Sequence, residues 1–161
     1  MPDKISSDVR VRRAERADVP AIVRLLADDR LGATREIVGA VGEPLAQVYW
    51  DAFDAMMQHP GNEYLVAEME GEVVGCLQLT VIRGLSRAGL TRGQFEGVRV
   101  SSQHRGHGIG EHLMRAAIER ARTLGCRLVQ LTSDRTRVDA LRFYERLGFV
   151  PSHVGMKLSL D

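Results

Sequence analysis

Short stretches rich in apolar residues, bounded by glycine, proline or charged residues, predict the β-strands of this chain. The predicted strands are residues 9–13, 64–69, 73–81, 94–100 and 127–131. The tripeptide Glu70-Gly71-Glu72 joins the second to the third and predicts a hairpin. After a last helix that ends at Gly148, we expect one or two closing strands from Phe149 onward and a sheet of six to seven strands.

Apolar residues recur at helical spacing in the segments between the strands, which predicts about four helices. The first helix begins at Ala17-Asp18 with Pro20 in its first turn, and the others cover residues 44–58, 108–124 and 136–147. The clearest apolar stripe belongs to the third helix and consists of Ile109, Leu113, Ala117, Ala121 and Leu124. Gly125 and Gly148 follow the last two helices as C-caps.

The order of these elements predicts a mixed α/β sheet. Strand 94–100, the third helix and strand 127–131 form a βαβ crossover, so these two strands should be parallel, whereas the earlier hairpins are antiparallel. Ligands in such sheets favour the carboxyl ends of strands, at the place where two neighbouring strands part. We therefore expect the binding site beside the end of strand 94–100.

Length, composition and charge narrow the class of protein. The 161 residues, 44% of them hydrophobic, are enough for one core, and we expect a single domain over residues 1–161. The net charge of +1 argues against nucleic acid as the main partner. No window has the ~20 apolar residues of a membrane span, and residues 1–8 lack a signal peptide, so we expect a cytoplasmic protein. Cys76 and Cys126 are interpreted as reduced core residues.

The segment between strand 94–100 and the third helix is predicted to bind phosphate. In Arg105-Gly106-His107-Gly108-Ile109-Gly110, three alternating glycines keep the inner wall of the loop free of Cβ atoms. The helix that follows leaves its first N–H groups without intrahelical partners, and its dipole favours an anion there. Arg105 and His107 add side-chain donors for phosphate oxygens, although a plain tight turn would use the same glycines.

Two other phosphate-binding motifs also contain a glycine-rich loop. In a dinucleotide-binding Rossmann unit, Asp134 would take the position of the ribose-binding acid. Against it, Glu111 stands where the third glycine belongs, residues 101–105 separate strand from loop, and the neighbouring strands are hairpins. Such a protein would be a nicotinamide-dependent oxidoreductase. A P-loop is excluded because the chain contains no Gly-Lys-Ser or Gly-Lys-Thr.

Two motifs together resemble the GNAT superfamily of N-acetyltransferases. Residues 105–110 are similar to its acyl-CoA signature, Arg/Gln-x-x-Gly-x-Gly/Ala, and residues 140–149 to its later motif, Ala-x-x-x-Tyr-x-x-x-Gly-Phe. The resemblance covers nearly the whole chain, except that residues 31–58 carry no recognisable motif. Arg137 stands where many relatives have asparagine, and it either reaches a phosphate of coenzyme A or lies on the surface of the helix's first turn.

This resemblance implies acetyl-CoA as cosubstrate, no metal, and a set of binding residues. The loop amides would hold the pyrophosphate, and the backbone of the preceding strand would pair with the pantetheine arm. The cofactor-binding candidates are Val98, Arg99, Val100, Arg105, Gly106, His107, Gly108, Ile109, Gly110 and Arg137. A backbone N–H near Val98 would stabilise the oxyanion that develops when an amine attacks.

The resemblance also implies two catalytic residues. Tyr144 would give a proton to the departing thiolate, although its position on an apolar helix face also fits a core tyrosine. Glu96 would accept the proton of the amine, directly or through water, although a solvated carboxylate or a partner for Arg99 fits equally well. Gly97 permits a β-bulge that changes the face to which Glu96 points, so strand parity leaves this open.

The acceptor and the assembly are less constrained. A small-molecule or peptide amine is the expected substrate, selected by residues 31–43 and 83–93, and acids such as Glu36 would attract a cation. A non-catalytic acyl-CoA-binding regulatory module is the alternative function. The resemblance to this superfamily also implies a homodimer.

Overall fold

The computed structural model describes residues 8–40 and 42–160. The residues described form one mixed sheet of five strands with helices on both faces. The strands are β1 (Val9–Arg13), β2 (Asn62–Met69), β3 (Glu72–Ile82), β4 (Arg92–Val100) and β5 (Leu128–Leu131). The helices of nine residues or more are α1 (Val19–Ala27), α2 (Gln47–Gln58), α3 (Ile109–Thr123) and α4 (Val138–Arg146).

The strands lie in the sheet in the order in which they follow one another along the chain, β1 to β5. All neighbouring pairs are antiparallel except β4 and β5, which are parallel and connected through α3. The mixed sheet and the α/β class expected from the sequence are thus confirmed. The β2–β3 hairpin is also present, with Glu70 and Gly71 both at positive φ (52° and 83°) in its turn.

The two faces of the sheet carry separate apolar cores. Against α3 lies the larger cluster, whose fully buried members include Leu77, Leu79, Phe95, Leu113 and Met114. Against α1 and α2 lies the second, which includes Ile22, Val23, Phe53, Val66 and Cys76. Each strand therefore presents alternate side chains to a different helix layer, and this fixes the strand register. Cys76 and Cys126 are both buried free thiols, as expected.

Asp18 is the N-cap residue of α1, and its side chain closes the 3-10 turn Arg16–Asp18 that precedes this helix. Its carboxylate accepts hydrogen bonds from the Glu15 backbone N–H at 2.7 Å and from Arg12 Nη1 and Nη2 at 2.7 and 2.9 Å. The hydrogen bonds from Arg12 lower the pKa of Asp18 in spite of its burial. Helix α1 begins at Val19, with Asp18 as its N-cap and Pro20 in its first turn, so the predicted helix start is confirmed.

The C-terminal end of the chain differs from the prediction. We expected one or two closing strands and a sheet of six to seven, but residues 149–160 form no strand and the described sheet has five. Val154, Met156, Leu158 and Leu160 alternate as in a strand, yet they are 80 to 93% exposed. The expectation was wrong because alternation describes one strand's side chains, whereas a strand forms only with a partner backbone.

The structure contains no helix, among those of residues 8–40 and 42–160, that is long and apolar enough to cross a membrane. The polar N-terminal stretch interpreted above as lacking a signal peptide lies, up to residue 7, outside the described residues.

Candidate active site

A cleft opens where β4 and β5 part. The two strands pair over only four positions, from Arg92 opposite Leu128 to Phe95 opposite Leu131. Strand β4 then runs five residues further, to Val100, without β5 beside it. The backbone of residues 96–100 is therefore left unpaired by β5 on this side, at the carboxyl ends of both strands.

A β-bulge at Gly97 shapes this end of β4. Glu96 pairs with Gln78 and Arg99 pairs with Cys76, so one residue of β3 faces two residues of β4. Gly97 has a φ of +59°, which side-chain-bearing residues rarely adopt. The register around this bulge decides which face of the sheet Glu96 occupies, which the alternation of residues along the strand left open. Since cross-strand partners share a face, Glu96 lies on the α1/α2 face, in one row with Gln78 and Tyr64.

The side chains of Val98 and Val100 pack toward α3, on the opposite face of the sheet from Glu96. Their carbonyl groups accept hydrogen bonds from arginines: Val98 from Arg99 Nη1 at 2.9 Å and Val100 from Arg105 Nε at 3.2 Å. The two valines thus belong to the core through their side chains and line the cleft through their backbone.

The glycine loop between β4 and α3 offers a row of free amides. Gly106 and Gly108 have φ values of 81° and 78°, and a Cβ on either would meet nothing within 4 Å. Gly108 is the N-cap of α3, and no side chain caps the helix. The first helical bond runs from the His112 N–H to the Gly108 carbonyl at 3.0 Å, and the N–H groups of residues 106–111 have no acceptor in the described part of the chain. Free N–H groups at a helix N-terminus are the arrangement that binds an anion.

The charged residues of this loop differ in their roles. Arg105 is exposed and braces the loop, because its Nη2 donates to the Asp28 carbonyl at 2.7 Å in addition to the Val100 bond. His107 is exposed, with Nδ1 3.3 Å from the His104 carbonyl. A guanidinium has five N–H donors, so Arg105 keeps donors for a ligand after making these two bonds. Gly110 lies deeper, where a Cβ would be 3.4 Å from Phe143.

A cluster of one aspartate and two arginines lies beside the cleft. Asp29 Oδ2 is 2.7 Å from Arg137 Nη2 and 3.0 Å from Arg99 Nε, and Asp29 Oδ1 accepts the Gly32 N–H at 2.7 Å. The side chains of Asp29, Arg99 and Arg137 are 19, 16 and 26% exposed. Arg99 Nε is buried and is not aligned for a hydrogen bond with any described group, although it lies close to Asp29.

The surroundings of Asp29 in this cluster lower the pKa of its carboxyl group. Burial alone would raise the pKa of Asp29, but the Gly32 amide and the charges of Arg99 and Arg137 outweigh burial and lower it. Arg137 therefore belongs to an ion-paired cluster at the cleft and is more than a surface residue of the first turn of α4.

Tyr144 lies on α4 near the same arginines. Its ring packs against Phe143 and Phe149 at centroid distances of 5.3 and 5.9 Å, on the core around α3. Burial raises the pKa of Tyr144, and the charges of Arg99 and Arg137 oppose this rise. The structure therefore brings Tyr144 close to Arg99 and Arg137, while Glu96 lies beyond the bulge on the α1/α2 face.

Several residues of the site have no motif in the sequence. Asp28 Oδ2 accepts the Ser102 N–H at 2.6 Å, so Asp28 and Asp29 tie the end of α1 to both the loop and α4. Tyr64 is buried beneath the bulge, and its pKa is raised by burial first and also by the charges of Cys76, Glu36 and Glu96. Of these residues, only Glu36 was indicated by the sequence, as an acid in the segment expected to select the acceptor.

Asp134, the ribose-binding candidate of the Rossmann alternative, instead caps a turn before α4. Its Oδ1 accepts hydrogen bonds from the Thr136 N–H at 2.9 Å and the Thr136 hydroxyl at 2.6 Å. These bonds are the main reason why its pKa is lowered.

Comparison with known proteins identifies the family. The model of the acetyltransferase (GNAT) family matches residues 23–149. A curated relative, the aminoalkylphosphonate N-acetyltransferase of Salmonella typhimurium, is 36% identical over 107 residues, which are 66% of this chain and 69% of the relative.

Two solved structures extend the similarity over most of the chain. A protein described as a transcriptional regulator from Bacillus halodurans C-125 is 45% identical, with a TM-score of 0.89, over 94% of this chain and 99% of that one. A putative acetyltransferase from Agrobacterium tumefaciens C58 is 28% identical, with a TM-score of 0.77, over 93% and 99%. With its parted parallel strands, its glycine loop and these similarities, the chain belongs to the GNAT family of acetyltransferases.

Proposed function

We propose that this protein is an N-acetyltransferase that transfers the acetyl group of acetyl-CoA to a primary amine by direct attack in a ternary complex. The observation that carries the proposal is the row of unbonded amides at the start of α3, beside the unpaired end of β4. Acetyl-CoA would supply the acetyl group as a thioester, and the proposal involves no metal ion.

The residues around the loop fit the cofactor. The amides of Gly106, Gly108, Ile109 and Gly110 would hold the pyrophosphate, since no Cβ obstructs the approach at the first two glycines. Arg105 and His107 would add donors from the exposed side of the loop. The backbone of residues 98–100 would pair with the amides of the pantetheine arm, and a backbone N–H near Val98 would stabilise the oxyanion formed during attack.

Tyr144 is the proposed general acid. Because burial raises its pKa above the ordinary value of 10.0, the phenol is protonated at neutral pH. After the proton has passed to the departing thiolate, the charges of Arg99 and Arg137 stabilise the phenolate. We expect Tyr144→Phe to lower kcat by about 100-fold with acetyl-CoA binding largely intact, since a general acid contributes about 10²- to 10⁴-fold. A steady-state thiol-release assay measures this, and an unchanged kcat would reduce Tyr144 to a packing role.

Glu96 is the proposed general base. It is exposed, and the Gly97 bulge directs it to the face of the sheet on which α1, α2 and the segment between them lie. A carboxylate at this place can take the proton that a primary ammonium group must lose before attack, directly or through a water molecule. The acceptor is a small molecule or a peptide. The Salmonella relative is named for aminoalkylphosphonates, which carry a primary amine.

The alternative is a non-catalytic acyl-CoA-binding regulatory module, favoured by one observation: the 45% identical structure is described as a transcriptional regulator. Thiol released from acetyl-CoA across a panel of amines separates the two functions. An enzyme releases thiol with at least one amine, whereas a regulatory module is stabilised thermally by CoA and releases none. Stabilisation by NAD in place of CoA would contradict both.

A homodimer in the cytoplasm is the proposed working form. The exposed, alternating apolar side chains of residues 154–160 support an assembly that covers them. The two free buried thiols suit a reducing compartment. Light scattering coupled to gel filtration tests the assembly, and a monomer at micromolar concentration would contradict it.

A further inference from the structure

The charges around the cleft are divided between two ends. Along β4, Glu96 precedes the bulge and Arg99 follows it, and Arg99 shares the Asp29 carboxylate with Arg137. The carboxylates of Glu36 and Glu96 form the other group, because both act, in addition to burial, to raise the pKa of Tyr64. Tyr64 is within electrostatic range of both groups: beyond the effect of burial, the charge of Arg99 lowers its pKa and those of Glu36 and Glu96 raise it. In contrast, the charges that act on the Tyr144 phenol are those of Arg99 and Arg137, so Tyr144 belongs to the positive end.

The positive end has unused capacity for an anion. Arg99 and Arg137 share the single carboxylate of Asp29. Asp134 and Arg35 add one charge of each sign to this end, because the charges of Arg35 and Arg137 act on the Asp134 carboxylate. The positive end thus contains three arginines and two aspartates. In the described chain, Arg99 donates from Nη1 to the Val98 carbonyl and Arg137 donates from Nη2 to Asp29, so each guanidinium keeps further N–H donors. A second anion would therefore find both charge and free donors here, and partial burial strengthens the attraction.

At the negative end, the Glu36 carboxylate is held in place by a hydrogen bond. The Tyr49 hydroxyl donates to Glu36 Oε2 at 2.8 Å and accepts the Ile37 N–H at 2.7 Å, which fixes the loop that carries Glu36. Glu96 stands in register with Gln78 on the same face of the sheet. Two carboxylates near a buried phenol attract an ammonium group and favour its approach to the general base.

We propose that the acceptor is a short zwitterionic amine, whose carboxylate or phosphonate group binds to Arg99 and Arg137 while its ammonium group lies at the Glu36 and Glu96 end. This inference rests on the proposed acetyl transfer and names the acceptor of that same site. Asp29 acts as the resident counter-ion that holds the two guanidinium groups in place until the acceptor binds.

The test compares acceptors of similar length in the thiol-release assay: 2-aminoethylphosphonate, β-alanine and propylamine. We expect Arg137→Gln to lower the ratio of kcat/KM for the two anionic acceptors over propylamine by about 10- to 100-fold, mainly through the acceptor's KM, because a hydrogen bond to a charged group contributes about that factor to binding. Arg142→Gln is the matched control, an exposed arginine on the same helix, and should leave the ratio unchanged.

A second variant separates binding from folding. Asp29→Asn removes the counter-ion while its amide oxygen still accepts the Gly32 N–H, so it should tighten the binding of 2-aminoethylphosphonate to CoA-loaded protein by a few-fold in calorimetry. Arg137→Gln should weaken that binding. A structural role alone would weaken both.

Three outcomes would overturn the inference: wild-type preference for propylamine, a loss in Arg137→Gln that falls on the KM of acetyl-CoA, or no calorimetric binding of either anionic acceptor. Thiol release from none of these three amines, and from no other amine of the wider panel, would instead reject the acetyl transfer, and the calorimetric comparison would then decide the anion site on its own.

Discussion

The β-bulge at Gly97 requires glycine for two reasons, its backbone conformation and its close contacts with neighbouring side chains. Its φ of +59° lies in the left-handed region, which costs a residue with a side chain about 1–2 kcal/mol. A Cβ at this position would also lie 3.0 Å from Tyr64 Oη and 3.3 Å from Leu26 Cδ2. Tyr64 is buried and has little room to move, so overpacking adds about 1–2 kcal/mol.

We therefore expect Gly97→Ala to lower the free energy of unfolding by about 3 kcal/mol, which corresponds to roughly 10 °C in Tm for a chain of this length. Because the bulge sets the positions of Glu96 and Val98, kcat should also fall, by about 10- to 100-fold. Calorimetry and the thiol-release assay at saturating acetyl-CoA measure the two effects.

Gly71→Ala is the matched control for Gly97→Ala. Gly71 has a φ of +83° in an exposed hairpin turn, and a Cβ there would meet nothing within 4 Å. It should show the conformational cost alone, about 1–2 kcal/mol, with normal kcat. Equal losses of stability in the two variants, with normal kcat in both, would refute the argument that the close contact holds the bulge and that the bulge positions the reacting groups.

Four further substitutions test other parts of the structure. Arg120→Met leaves the buried Glu63 carboxylate without its main partner and should cost about 3 kcal/mol in urea denaturation, where a loss below 1 kcal/mol would contradict the role of the pair. The hydrogen bonds from Arg120 lower the pKa of Glu63 below 4.5, so their stabilisation is present above that pH and is lost as the pH falls through the lowered value. Stability should thus fall on acidification in the wild type, and a parallel fall in Arg120→Met would argue against this cause. Gly108→Ala and Gly125→Ala, both at positive φ with open space around them, should destabilise the protein equally, but only Gly108→Ala should raise the KM of acetyl-CoA, by about 10-fold. Equal KM values would remove the loop from the cofactor site. Glu96→Gln should flatten the rise of activity with pH, and a normal profile would exclude it as the base.

The sequence predicted those parts of the fold that depend on local patterns. The βαβ crossover and the glycine loop follow from periodicity and from the few residue types that a bare phosphate-binding turn accepts. The face of Glu96 did not follow, because the bulge at Gly97 shifts the alternation by one residue and the strand pattern alone does not show where a bulge lies. The closing strands were overpredicted because Val154 and Leu158 alternate correctly but have no partner in the described chain.

The ion pairs of the site were beyond sequence reasoning for a different reason. Asp29 and Arg137 are 108 positions apart, and Asp28 and Ser102 are 74 apart, so no local pattern links them. Both aspartates follow an apolar helix, where carboxylates are ordinarily solvated. Arg137 likewise looked like a surface residue at a helix start until the structure placed Asp29 beside it.

The position of Asp28 and Asp29 has a consequence for how the protein responds to its surroundings. These adjacent carboxylates join the first third of the chain to Arg99 and Ser102 in its middle third and to Arg137 in its last third, through contacts that lie outside both apolar cores. Polar contacts at a surface open at lower free energy than packed interiors. A low concentration of urea should therefore open the cleft while the sheet behind it stays folded, so that binding at the cleft is lost before the protein melts.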